Sequence, residues 1–234
     1  MTKDSQKGFT LVELLIVIFI IGVLLIVVAV NFDRGKRSND LKAAGLDIER
    51  NFRQAQNYSI SGNTYKYCSE ISTNSFYRCS IDTDCPPNVE PPSLGTCITS
   101  VPPGGYGIQI SSTENYILFG NTTADNTFLD NIEDYEIIYN NLTLNGMHIS
   151  QIKFGDQPSF TAASVANKVD VIFSVPTGQI SFYLDDVEVL DENDQPIVTL
   201  EILVSSDYVS TSCRKITINR ITGLINEIQS DCSI

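Results

Sequence analysis

The chain has a single histidine, His148, and it is short of positive charge: 15 Lys and Arg stand against 28 Asp and Glu, a formal net charge of −13. Each scarcity excludes something. A surface this acidic is the wrong sign for a phosphate backbone, so no nucleic-acid partner is expected. His148 lies in Met-His-Ile-Ser-Gln-Ile, where alternation makes it an ordinary strand side chain, and the serines have no second histidine to draw on. Neither a Gly-x-Ser-x-Gly elbow nor a glycine-rich run ending in Gly-Lys-Ser/Thr is present. No catalytic residue, enzymatic activity or cofactor is therefore expected. The six cysteines lack the C-x₂₋₄-C knuckle of structural zinc sites. Proline is absent before Pro86, so nothing in the first third of the chain forces a helix to break.

What that first third holds is an apolar run. Residues 11–30 contain one charged residue, Glu13, and one glycine, Gly22. As a helix they cover roughly 30 Å, enough to span a bilayer, and a carboxylate inside such a run is expensive. Lys3 and Lys7 precede the run, while Arg34, Lys36 and Arg37 follow it, so charge alone does not orient it. A basic start followed by an apolar stretch also describes a secretory signal peptide or a plain anchor. The run is too long for the usual signal core, and Val27-Val28-Ala29 lacks the small residue a cleavage site needs.

The stretch Lys7-Gly8-Phe9-Thr10-Leu11-Val12-Glu13-Leu14 resembles the N-terminus of a type IV prepilin or pseudopilin. The resemblance implies a leader over residues 1–8, a cut between Gly8 and Phe9 by a prepilin peptidase, and N-methylation of Phe9 by the same enzyme. It places the leader in the cytoplasm and the head outside, on a single-pass helix in the cytoplasmic (inner) membrane, before transfer to a filament. Glycine at the cut allows close backbone approach. The new amine on Phe9 and the Glu13 carboxylate lie four residues apart on one helical face. In a packed fibre the amine of one subunit can meet Glu13 of its neighbour, which assigns Glu13 to assembly. The family often carries a helix-breaking proline near the end of the apolar segment; this chain has none there, and Gly22 is the candidate substitute.

Beyond the run, Leu41, Ala44, Ile48, Phe52 and Ala55 recur at spacings of 3, 4, 4 and 3, one face of a helix. One helix from Phe9 to Tyr58 is expected, apolar all round over 9–30 and amphipathic over 31–58. From residue 59 the composition turns to Ser, Thr, Asn, Gly and β-branched residues. Strands are expected at 106–110, 116–119, 135–139, 147–154, 169–173, 179–184, 197–204, 213–221 and 224–229. Turn signals lie at Pro103-Gly104-Gly105, Asn145-Gly146, Pro176-Thr177-Gly178 and Thr222-Gly223. The expected fold is α+β: a long N-terminal helix with a transmembrane first half, then an extracytoplasmic antiparallel β head over 59–234 of two packed sheets, pilin-like.

Within that family, Val171, Phe173, Pro176 and Gly178, with Arg214, Ile216, Ile218 and Gly223, resemble the head motifs of the GspH/FimT class of minor pseudopilins and minor pilins. The Cys- and Pro-rich segment 68–103 and the acidic loop after Leu184 depart from it. An even cysteine count outside the cytoplasm favours disulfides. Cys213 and Cys232 lie nine residues before Thr222 and nine after Gly223, so a hairpin brings them face to face. That register sets Ile216 against Gln229, an unhelpful pair, which a longer or bulged turn would relieve. Cys68, Cys79, Cys85 and Cys97 leave three connectivities open. Asp185, Asp186, Glu188, Asp191 and Asp194 offer hard oxygen ligands of the type calcium uses, against the plainer reading of a solvated loop. The expected function is structural: a minor pilin or pseudopilin of a type IV pilus or type II secretion pseudopilus. Its expected partners are the prepilin peptidase/N-methyltransferase, other pilin subunits and an inner-membrane assembly platform. The alternative is a filament-tip or tethered adhesin using Tyr106, Tyr116, Tyr135, Tyr139 and the Thr/Asn-rich loops.

Overall fold

A computed structural model describes residues 11–69, 79, 96–121, 135–142, 146–156 and 168–232. Helix α1 runs over Leu11–Ser61. It ends where Gly62 takes a left-handed conformation at φ 60. The Gly62 amide then donates to the Ser59 carbonyl at 3.4 Å and the Asn63 amide to Tyr58 at 3.0 Å. This pair of bonds satisfies the last carbonyls and stops the helix three residues after the expected Tyr58. The chain divides into two compact units, Met1–Asp40 and Leu41–Ile234, and the division within α1 falls where the apolar stripe begins.

In the first unit the helix carries exposed Leu, Ile, Val and Phe side chains, Leu11, Phe19 and Leu25 among them. Among the described residues, however, no helix is long and apolar enough to cross a membrane. The expected transmembrane first half is thereby overturned. The single-pass placement in the cytoplasmic membrane, with leader inside and head outside, falls with it. Glu13 interrupts the run near its start: the charge-free stretch is residues 14–32, roughly 28 Å of helix against a ~30 Å hydrocarbon core.

The second unit is antiparallel β structure around the remainder of α1. Its strands are β1 (Tyr65–Ser69), β2 (Thr96–Ser100), β3 (Gly105–Ile110), β4 (Asn115–Asn121), β5 (Tyr135–Asn141), β6 (Met147–Phe154), β7 (Val169–Phe173), β8 (Ile180–Leu184), β9 (Val187–Glu188), β10 (Thr199–Ser206), β11 (Val209–Asn219) and β12 (Ile225–Ser230). They form a six-stranded sheet, β5-β4-β3-β7-β8-β9, a four-stranded sheet, β12-β11-β10-β6, and the small pair β1-β2.

One core joins helix and both large sheets. Leu41, Ile48, Phe52 and Ala55 from α1 meet Ile108, Leu118, Val171, Phe173 and Phe182 of the six-stranded sheet, and Ile149, Ile152, Leu200, Ile202, Ile216 and Ile218 of the four-stranded one. Ala44 packs against the same cluster, so the whole expected stripe faces inward. In β6 the inward residues are Met147 and Ile149, then Ile152 and Phe154. A register shift against β10 between Leu203 and Val204 absorbs the extra residue and keeps both pairs on the core side. The other face of the six-stranded sheet holds a second cluster of Ile117, Phe119, Ile172 and Tyr183. β3 is consequently buried along its whole length.

Polar groups fix the helix on the sheets. Asn51 donates to the Tyr116 hydroxyl at 2.7 Å, which donates to Asp47 at 3.0 Å. Ser59 donates to the Phe173 carbonyl at 2.6 Å, and Arg53 to the Ile225 carbonyl at 2.6 Å. The turn before β3 depends on Gly105, at φ 94, where an added Cβ would stand 2.2 Å from the Phe173 oxygen.

Candidate functional site

The residues expected to be processed lie at the N-terminus. Gly8 and Phe9 lie outside the described residues, and α1 opens with Glu13 in its first turn. An acidic group there is favourable for the helix itself, since the amides of the first turn present partial positive charge. From Leu11 to Ile26 the helix residues are exposed, so Glu13 stands within an apolar surface.

The cysteines separate into two groups. Cys213 and Cys232 are bonded, with Cα atoms 5.1 Å apart. The hairpin register pairs Cys213 with Ser230, Ile216 with Glu227 and Ile218 with Ile225. The turn is thus longer than the two residues Thr222-Gly223, which moves Ile216 away from Gln229. Cys232 still reaches Cys213 because it lies beyond the end of β12. Cys79 and Cys97 form a second bond, with Cα atoms 5.8 Å apart, which selects one of the three connectivities left open by the spacing. The Cys68 side chain and Cys85 lie outside the described residues.

The acidic loop has local structural duties. Asp185 and Asp186, at φ 49 and 67, make the tight turn that joins β8 to β9, a conformation short polar residues tolerate. Asp185 also accepts a hydrogen bond from the Lys168 amide at 2.8 Å. Glu188 pairs with Arg220 at 3.0 Å. Asp191 accepts from the Asn193 and Gln195 amides at 2.8 and 2.9 Å, and Asp194 holds a left-handed φ of 56. Among the described residues no group of three or more His, Cys, Asp or Glu could hold a metal ion.

Of the tyrosines considered as ligand contacts, Tyr106 and Tyr116 are 1% exposed. The Tyr106 hydroxyl donates to the Asn63 carbonyl at 2.7 Å, so both rings are internal struts. The Tyr135 and Tyr139 side chains lie outside the described residues.

The head motifs fall on the core and its turns. Val171, Phe173, Ile216 and Ile218 are buried, Pro176 and Gly178 lie at the β7–β8 turn, and Gly223 lies between β11 and β12. Arg214 pairs with Glu227 at 3.2 Å across that hairpin.

One cluster escaped the sequence reading. His148 on β6 faces Ser205 on β10, and its Nε2 lies 2.8 Å from the Ser205 Oγ. Its Nδ1 lies 3.3 Å from the Asp207 carboxylate in the β10–β11 turn. Residue spacing held no signal for this, because the partners meet only through sheet register.

Residues 3–29 match the family described as the prokaryotic N-terminal methylation motif, which is typical of type IV pilin and pseudopilin family members. No curated protein and no solved structure matches the chain.

Proposed function

We propose that this chain is a structural filament subunit, a minor pilin or pseudopilin of a type IV pilus or type II secretion pseudopilus. The observation that carries the reading is the methylation motif over residues 3–29, set at the start of a long helix. Cleavage after Gly8 frees the amine of Phe9. Helices of neighbouring subunits then pack their apolar surfaces together, and the amine of one subunit meets Glu13 of the next. Exposed Leu, Ile, Val and Phe side chains along α1 support this, since contiguous apolar surface on that scale is normally covered by a partner. The Cys213–Cys232 bond ties the C-terminal strand of the head to its neighbour, which suits a subunit under mechanical load.

The test is N-terminal sequencing and intact mass of the mature protein from cells with an active prepilin peptidase. A chain beginning at N-methylated Phe9 is expected. A chain beginning at Asn31, or an uncut chain beginning at Met1, overturns the reading.

A further inference from the structure

We propose that Ser205, His148 and Asp207 form an acyl-transfer site, separate from any filament role, in which Ser205 is a nucleophile toward small activated esters. The three groups stand in the order such chemistry requires: hydroxyl to Nε2 at 2.8 Å, and Nδ1 to carboxylate at 3.3 Å. The Asp207 carboxylate beside Nδ1 favours the tautomer protonated there, which leaves Nε2 as the basic nitrogen facing the Ser205 hydroxyl. That is the geometric definition of an activated serine, recognised by roles rather than by sequence position.

The backbone holds these roles in place. Ser205 and His148 are register partners across β10 and β6. The β10–β11 ladder steps from Val204 directly to Ser206, so Ser205 sits in an irregularity of the strand. Bulges of this kind re-aim a side chain and are common beside active sites. The Asp207 amide donates to the Gly146 carbonyl at 3.1 Å, which anchors the turn bearing the carboxylate to the start of β6. Ser205 itself is 9% exposed, whereas the side chains of His148 and Asp207 are 31% and 63% exposed. The approach is therefore from the imidazole side and admits only a small acyl group.

In the step, the Ser205 Oγ bonds to the ester carbonyl carbon and its proton passes to His148 Nε2. The bond from carbon to the leaving oxygen breaks, and that oxygen takes the proton from Nε2. Water then attacks the acyl-serine by the same relay, which releases the acid and restores the hydroxyl. His148 moves the proton, and Asp207 is a positioning residue.

The experiment treats the full chain with a fluorophosphonate probe and with p-nitrophenyl acetate, and maps the adduct by peptide mass. A single adduct on Ser205 is expected, absent in Ser205→Ala. His148→Gln should lower the labelling rate by about 100-fold or more, and Asp207→Asn should lower it less, with Asp207→Glu restoring part of the rate. Imidazole added to the buffer should restore part of the His148→Gln rate and leave Ser205→Ala unlabelled, a readout that lost folding cannot produce. A wild-type chain that labels no faster than Ser205→Ala, or that labels at another serine, overturns the proposal.

Discussion

The two stretches of α1 are covalently one helix and physically two different objects. Over Leu41–Ser61 every fourth or third residue is buried and the opposite face is polar, so the structure of this stretch is set by the sheets it covers. Over residues 11–26 apolar side chains point in all directions and are exposed. A stretch of that composition has no preferred face, so nothing in one chain determines which side should be covered. The lesson is that the apolar stripe encodes an intramolecular contact, whereas the all-round apolar surface encodes none within the described chain; the proposed filament would supply it.

The largest effects should come from breaking the intermolecular side of this comparison. Replacing Gly8 with valine should block cleavage, leave a precursor heavier by the residues of the leader, and abolish incorporation into filaments, since Phe9 keeps its amide link. Glu13→Ala should leave processing intact and still prevent incorporation. Filaments with wild-type content of the Glu13 variant would sink the assembly role of that carboxylate.

The intramolecular side is broken by core truncation. Phe52 is fully buried between the sheets, so Phe52→Ala should cost about 3–5 kcal/mol in denaturant unfolding of the head. Ile18→Ala, on an exposed side chain in the first unit, should change the same transition by less than about 0.5 kcal/mol while weakening assembly. Similar losses from the two would contradict the division at residue 41. Removing Cys213 and Cys232 together should cost about 3 kcal/mol, the chain-entropy value for a loop of this length, read as a lowered melting temperature of unchanged sheet content.

Glycine gives a finer version of the comparison. A Cβ at Gly45 would stand 2.9 Å from the Arg214 Cβ and 3.2 Å from the Glu227 carboxylate, so Gly45→Ala must disturb that ion pair and should cost about 1–3 kcal/mol. A Cβ at Gly22 meets nothing within 4 Å. Gly22→Ala should therefore stabilise the helix by about 0.5–1 kcal/mol, visible as added helicity by circular dichroism.

How much of this the sequence discloses depends on the range of the interaction. The α1 stripe and the strands at 147–154 and 169–173 are written in local periodicity, and each was legible at its observed bounds or close to them. The transmembrane reading rested on the length of one apolar run, which Glu13 interrupts, and among the described residues no helix meets the requirement. The pairing of β1 with β2 was not legible, because its strands are joined through a Pro- and Cys-rich segment with no alternation of its own. The hairpin closing β11 and β12 was legible as a turn but not in its register, which side-chain packing of Ile216 and Ile218 decides. His148, Ser205 and Asp207 are brought together by two register shifts in β10, and no residue spacing foretells a shift.

The smallest expected effect concerns Tyr183, on the outer face of the six-stranded sheet, away from the α1 contacts. Burial holds its hydroxyl above the ordinary tyrosine range, and the Glu188 carboxylate adds to the rise; a hydrogen bond from Ser181 and the charge of Arg220 pull the other way. Because the folded value is raised, the unfolded chain gives up this proton first. The stability contributed is fully present below about pH 10, the unfolded value, and is lost as pH rises toward the folded one. Tyr183→Phe removes the titrating group but keeps the ring among Ile117, Phe119 and Ile172. The difference in unfolding stability between wild type and Tyr183→Phe should thus be constant up to about pH 9 and shift against the wild type from pH 10 upward. Glu188→Gln should reduce the size of that shift without removing it, since burial is the larger cause. A difference that stays constant through pH 11 would show that the outer face admits water, in contrast to the core under α1.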